Sequence, residues 1–61
     1  MKIETGDQVI VHDGYRIGAD SAGRDRFAYM GIVRAVFGSY VEVEFKEYPR
    51  NVDFHLRELK A

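Results

Sequence analysis

The sequence predicts an all-β fold, in which five short strands form a small barrel that is closed or nearly closed. Apolar and polar residues alternate along several segments, and no segment carries the spacing of an amphipathic helix. Turns that contain glycine separate these segments. A chain of 61 residues has room for one domain, so we assign residues 1–61 to a single unit.

The composition limits the classes of function. The chain has no cysteine, which excludes a disulfide framework and a thiolate metal site. Its net charge is −1, whereas a general nucleic-acid binder of this size is usually basic because neutralised phosphates supply its affinity. The N-terminus is polar and shows no signal peptide, so we expect a cytoplasmic protein.

The first strand is predicted between two turns, at residues 6–7 and 13–14. Val9 and Val11 lie two residues apart and share one face of this strand. Residues 13–27 then hold three glycines among several aspartates and arginines. Because they follow neither strand nor helix periodicity, we predict a long loop, and loops of this length are often functional.

A hairpin is predicted next, with strands at residues 29–36 and 40–45 and a tight turn at residues 37–39. The second strand alternates strictly, with its valines on one side and its glutamates on the other. In the first strand, Val33 and Val36 are three residues apart, so strict alternation fails there. We therefore expect a β-bulge near residues 34–35.

The C-terminal part is predicted as a loop, a short strand and a helical turn. Pro49 marks the loop, because proline cannot donate to a strand ladder. Residues 52–55 form the strand, and Leu56 and Leu59 are spaced for one turn of 3₁₀ helix before a brief last strand. One inward-facing set should form the core: Val9, Val11, Val33, Val41, Val43, Phe45, Val52, Phe54, Leu56 and Leu59.

The order of these elements resembles the SH3-like barrels, with a long loop after the first strand and a 3₁₀ turn before the last. The stretches "GDQVIV" and "GIVRAV" resemble the KOW and Tudor-type modules. In KOW modules this likeness implies contacts with RNA or ribosomal proteins. "GIVRAV", "VEVEF" and the terminal "EL" are also similar to a photosystem I accessory subunit, which implies docking on a larger complex.

An enzyme family resembles part of the chain as well. Plasmid-encoded type II dihydrofolate reductase shares the "G-D-x-V" start and a late "V-Q-I-Y" strand that carries its pteridine and nicotinamide contacts. Here that strand reads "VDFH", so these contact residues are replaced. Asp53 and His55 share one strand face, but neither a nucleophile nor a third metal ligand is specified beside them. We therefore expect no enzyme activity, no cofactor and no metal site.

Tyrosine and arginine residues are the candidate binding residues, because exposed tyrosine near arginine is typical of binding hot spots. Residues 14–34 hold four arginines and two aspartates, a net charge of +2, and residues 42–47 have a net charge of −2. Alternatively, the tyrosine rings cover the ends of the barrel, and Phe27 is expected to close one end. The predicted partner-binding residues are Tyr15, Arg16, Arg24, Arg26, Tyr29, Arg34, Phe37, Tyr40 and Tyr48.

The leading hypothesis is a non-enzymatic protein-interaction module. It would be a small accessory or regulatory protein of a bacterium or phage that binds a larger protein or complex through its long loop and outward aromatic residues. A homo-oligomer is compatible with this hypothesis. The alternative is a KOW-like protein that binds RNA or DNA through the arginines of residues 16–34.

Overall fold

The computed structural model describes residues 2–60 and places its strands in one antiparallel sheet. The strands are β1 (Gln8–Ala19), β2 (Asp25–Phe37), β3 (Tyr40–Glu44), β4 (Val52–His55) and β5 (Leu59–Lys60), with a 3₁₀ turn at Leu56–Glu58. Their order across the sheet is β4-β3-β2-β1-β5, which is compatible with an SH3-like fold. The predicted all-β class and the predicted 3₁₀ turn are confirmed.

The sheet is open between its two edge strands, β4 and β5, so closure into a barrel is not confirmed. Both edges are short, because β4 has four residues and β5 has two. The 3₁₀ turn directs the chain from one edge to the other.

The region predicted as a long loop is instead mostly strand. β1 continues to Ala19 and β2 begins at Asp25, so residues 12–29 form a two-stranded arm with a short turn at its tip. The pairing of β1 with β2 shifts register twice, between Ile10 and Tyr15 and again between Arg16 and Gly18. These shifts break the period of two, which is why the sequence pattern indicated no strand.

One buried core lies against the inner face of the sheet, as predicted. Eight of the ten expected residues are buried, whereas Val52 and Leu56 are only partly buried and pack against the others. Ala28 belongs to the core and was missed; it lies opposite Tyr15 at a register shift, where alternation gives no guidance. The buried residues are Val9, Val11, Ala28, Val33, Val41, Val43, Phe45, Phe54 and Leu59.

The central hairpin depends on a glycine at position 31, where β2 passes close to β3. A Cβ atom at this position would collide with Cγ1 of Val43 and lie 2.8 Å from the carbonyl oxygen of Glu44. The expected bulge is confirmed, because the register of β2 against β3 shifts between Val33 and Ala35. Beyond the bulge Val36 lies opposite the buried Val41, although Val36 itself is 43% exposed.

A reciprocal cap fixes the end of β4. The Nδ1 atom of His55 accepts a hydrogen bond from the backbone N–H of Arg57 at 3.2 Å. The backbone N–H of His55 donates to Oε1 of Glu58 at 3.1 Å. The backbone N–H of Leu56 donates to the carbonyl oxygen of Ser39 at 2.8 Å, which joins the turn to the β2–β3 hairpin. This arrangement sets the direction in which the chain enters β5.

Candidate interaction surface

The sheet has an outer face opposite the core. Side chains that lie directly opposite each other in an antiparallel pair point to the same face, so the strand register defines which residues belong to it. The outer face consists of cross-strand rows: Phe37, Tyr40 and His55; Ala35, Glu42 and Asp53; Gln8, Ile32 and Glu44; and Ile10, Met30 and Lys60.

One end of the outer face is aromatic. Phe37 and Tyr40 are each about half exposed, at 51% and 52%. The Tyr40 ring meets the imidazole of His55 edge to face, with ring centroids 5.1 Å apart. Both Phe37 and Tyr40 lie beside the Gly38-Ser39 turn, where a partner can reach them without moving the strands.

The other end is an apolar patch at the base of the arm, formed by Phe27, Tyr29, Met30 and Ile10, and we call it the arm patch. Tyr29 is 53% exposed, and its ring centroid lies 6.4 Å from that of Phe27. The Tyr29 ring packs over Gly14, where a Cβ atom would lie 2.7 Å from Cε1 of the ring. Gly14 also has a φ of +75°, a conformation that glycine adopts without strain. The exposed Tyr29 ring therefore packs directly against the backbone at Gly14.

A shallow groove adjoins the arm patch, with a volume of about 280 Å³. Its lining mixes apolar and charged residues, among them Met30, Ile32, Glu44 and Lys46. Ligand sites for small molecules are typically deeper clefts of roughly 300–1,000 Å³. The volume of this groove lies just below that range.

Two of the predicted binding residues face inward instead. Tyr15 was expected in a loop, but it lies on β1 and its ring stacks on Phe45 at 5.9 Å with an interplanar angle of 7°. Its edge contacts are with Phe54 at 5.8 Å and with Tyr48 at 5.6 Å. Tyr15 and Tyr48 are both partly buried against the core, so they stabilise the fold and offer a partner little surface.

The hydroxyl of Tyr15 lies in an environment that disfavours its ionised form. Hydrogen bonding and Coulomb repulsion from Tyr48 raise the pKa of Tyr15 above its ordinary value of 10.0, and desolvation adds to this rise. Arg50 opposes the change. Tyr15 is therefore neutral over the physiological range of pH.

The four predicted arginines do not form one basic surface. Nε of Arg16 lies 2.9 Å from Oδ1 of Asp25, and Arg34 forms a salt bridge with Glu44. The second bridge joins the end of the positive segment to the negative segment, where β2 pairs with β3. Arg24 and Arg26 lie at the tip of the arm, away from Arg34 at the β2 bulge.

The tip of the arm is held by the side chain of Asp20. Its Oδ1 accepts hydrogen bonds from the backbone N–H groups of Ala22 and Arg24, both at 2.9 Å. The backbone N–H of Asp20 donates to the carbonyl oxygen of Arg24, also at 2.9 Å. The turn that displays Arg24 is thus an ordered element.

Sequence reasoning missed part of the arm patch. Phe27 was expected to close a barrel end, but it lies opposite Arg16 on the outer side of the arm and is 45% exposed. Met30 was not singled out, although it is half exposed beside Ile10. The outward position of Ile10 is the one that alternation predicts, because Ile10 stands between the inward residues Val9 and Val11.

Groups of three or more possible metal ligands do not occur among the residues that the structure describes. Likewise, residues 2–60 include no helix long and apolar enough to cross a membrane. In comparisons with protein-family models, curated proteins and solved structures, nothing matches this chain. A function is therefore inferred from the exposed residues of the outer face and the arm patch alone.

Proposed function

We propose that this chain is a non-enzymatic protein-interaction module that binds a larger protein or complex through the outer face and the arm patch. The observation that carries this proposal is that six of the seven exposed large apolar side chains of residues 2–60 belong to the outer face or the arm patch of a very small domain, each 40–53% exposed. Exposed apolar patches on soluble proteins commonly mark interaction sites. The six are Ile10, Phe27, Tyr29, Met30, Phe37 and Tyr40.

The fold supports a rigid binding platform. The strand order and the 3₁₀ turn are those expected of an SH3-like barrel. Tyr15 of β1 contacts Phe54 of β4 across the inner face, so aromatic packing joins strands that are not hydrogen-bonded to each other. A partner that docks on such a platform loses little free energy to ordering it.

The salt bridges weigh against nucleic acid as the partner. Two of the four arginines already neutralise a carboxylate, which leaves Arg24 and Arg26 on the arm to contact phosphates. Two phosphate contacts would give a log–log dependence of affinity on salt of only about −2. So few contacts supply little of the electrostatic affinity on which such binders depend.

Site-specific photo-crosslinking tests the proposal. A benzophenone amino acid replaces Tyr29 or Tyr40 in the full chain, and the matched control carries it at Arg57, which is exposed in the 3₁₀ turn. After irradiation in a lysate of the source organism, we expect the same protein to be crosslinked from positions 29 and 40 but not from position 57. Crosslinks to nucleic acid alone, or equal crosslinking from all three positions, would contradict the proposal.

A further inference from the structure

The middle of the outer face carries two carboxylates in direct opposition. Glu42 on β3 is the register partner of Asp53 on β4, so both side chains point outward from neighbouring positions. Like charges directly opposite each other destabilise a sheet. Within residues 2–60 the salt bridges join Arg16 to Asp25 and Arg34 to Glu44, so a cation pairs with neither carboxylate of this row.

The neighbours of this acidic pair leave it open to a partner. Asn51 donates a hydrogen bond from Nδ2 to Oε2 of Glu42 at 2.7 Å, which orients the carboxylate but adds no charge. On the other side of Glu42 the row ends with Ala35, and the neighbouring Arg34 pairs with Glu44 instead. Asp53 is exposed, and Glu42 is half-buried.

A row of aromatic residues lies on one side of the acidic pair. Tyr40 and Glu42 are successive outward positions on β3, so their side chains emerge about 7 Å apart along the strand. An aromatic ring beside a carboxylate suits a guanidinium group, which stacks on the ring and hydrogen-bonds to the carboxylate. The ring of Tyr40 and the pair of carboxylates together match a side chain of that kind.

We infer that the partner segment of this outer face is basic, with arginine or lysine side chains placed over Glu42 and Asp53 and apolar side chains over Phe37 and Tyr40. The inference rests on the proposed function and specifies its partner by charge. Opposite charge on the partner would complement the two like charges of Glu42 and Asp53, so this row favours a basic segment over a neutral or acidic one.

Synthetic peptides test this inference directly. Fluorescein-labelled 12-residue peptides that repeat Leu-Ser-Arg-Ser, which places leucine and arginine on the same face of an extended chain, are titrated with the full chain by fluorescence anisotropy, alongside versions with glutamine or glutamate in place of arginine. A single-stranded RNA of 12 nucleotides serves as a further probe. We expect the arginine peptide to bind about tenfold or more tightly than the glutamine peptide, with an affinity that falls as salt rises. The glutamate peptide and the RNA should not bind.

Two matched variants separate the acidic pair from net charge. Asp53→Asn should weaken binding of the arginine peptide about tenfold and raise the melting temperature, because it removes the repulsion from Glu42. Asp13→Asn makes the same change in charge at an exposed residue outside β3 and β4, and should alter affinity by less than about twofold.

Several results would overturn the inference. They are failure of the arginine peptide to bind, equal binding of the glutamine peptide, tighter binding of the glutamate peptide or the RNA, or equal weakening by the two variants. These failures are distinguishable from failure of the proposed function. If the peptide test failed but a protein was still crosslinked from positions 29 and 40, the chain would remain an interaction module. The partner segment that it binds would then not be basic.

Discussion

Gly31 shows how one missing side chain sets the distance between two strands. Because a Cβ atom would collide with Val43 and approach the backbone of Glu44, Gly31→Ala must push β3 away from β2 or distort Phe45, whose Cδ1 would lie 3.3 Å away. Overpacking of this kind typically costs about 1–3 kcal/mol. We expect Gly31→Ala to lower the free energy of unfolding by that amount in urea titrations.

A double-mutant cycle provides the control for this prediction. Val43→Ala alone should destabilise the core, because it removes buried volume. Combined with Gly31→Ala it should cost less than the two single changes together, since it makes room for the added methyl group. Strict additivity would show that the collision with Val43 is not the cause.

Because Tyr48 raises the pKa of Tyr15, we expect the free energy of unfolding to depend on pH in the alkaline range. The folded state holds the proton of Tyr15 more tightly than the unfolded state, so above about pH 10 the unfolded chain binds fewer protons and stability falls. Below that pH this contribution is fully present. Tyr48→Phe removes the two largest causes of the raised pKa and keeps the ring.

Urea titrations between pH 8 and pH 11 check this expectation. The wild type should lose stability more steeply above about pH 10 than the Tyr48→Phe variant, because only the wild type retains the interaction that raises the pKa of Tyr15. Parallel curves for the two proteins would show that the tyrosine pair does not carry the effect.

At the scale of elements, the arm should be ordered by its own turn. Asp20→Ala removes the acceptor for the backbone N–H groups of Ala22 and Arg24, and the loss of such bonds costs about 0.5–1.5 kcal/mol each. Since the tip is exposed, this loss should appear mainly as local opening. We expect faster hydrogen exchange at residues 20–25 and little change at Val41 or Val43.

Ser21→Ala is the matched control, because Ser21 is exposed in the same turn. It should leave exchange at the tip unchanged. If Asp20→Ala also left exchange unchanged, the side chain would not be what orders the turn.

Strand faces could be assigned from the sequence only where the alternation of apolar and polar residues is regular. Residues 40–45 alternate without interruption, so their inner and outer faces could be assigned from the sequence alone, and Val41 and Val43 are fully buried as expected. The arm could not be assigned in this way. Its two register shifts place Tyr15 inward and leave Tyr29 and Met30, which are adjacent in sequence, both half exposed. The position of such shifts depends on pairing with a distant strand, which a local pattern does not contain.

The same distinction applies to the candidate binding residues. The candidate residues Tyr29, Phe37 and Tyr40 are about half exposed, whereas Tyr15 and Tyr48 proved to be partly buried against the core. The charge segments were visible in the sequence, but their contact through Arg34 and Glu44 depends on the pairing of β2 with β3. The binding role of all these residues stays a prediction.

At the scale of the whole molecule, β3 and the residue that follows it offer a direct comparison between core and surface. Phe45 is 2% exposed and Tyr40 is 52% exposed. Phe45→Ala should lower the free energy of unfolding by about 3 kcal/mol or more, a large share of the stability of a domain this small. Tyr40→Ala should change it by less than about 1 kcal/mol, because surface substitutions are usually mild.

Thermal melts and partner capture, measured for each variant, check this comparison. If Tyr40 is a hot spot, Tyr40→Ala should fold normally and bind its partner about tenfold more weakly. A normal melt for Phe45→Ala with an early melt for Tyr40→Ala would reverse the assignment of faces. Normal folding with undiminished capture by Tyr40→Ala would place the interaction elsewhere.

The cap at the end of β4 also affects how molecules of this protein meet in concentrated solution. β4 is an edge strand, and unpaired amides on such an edge can template the addition of a strand from another molecule. Glu58 already occupies the amide of His55, and the carboxylate of Asp53 places a charge next to it along the edge. An incoming strand would find no continuous ladder to extend. Fibril growth from this edge is therefore disfavoured, even though half-exposed aromatic rings lie only a few ångströms away.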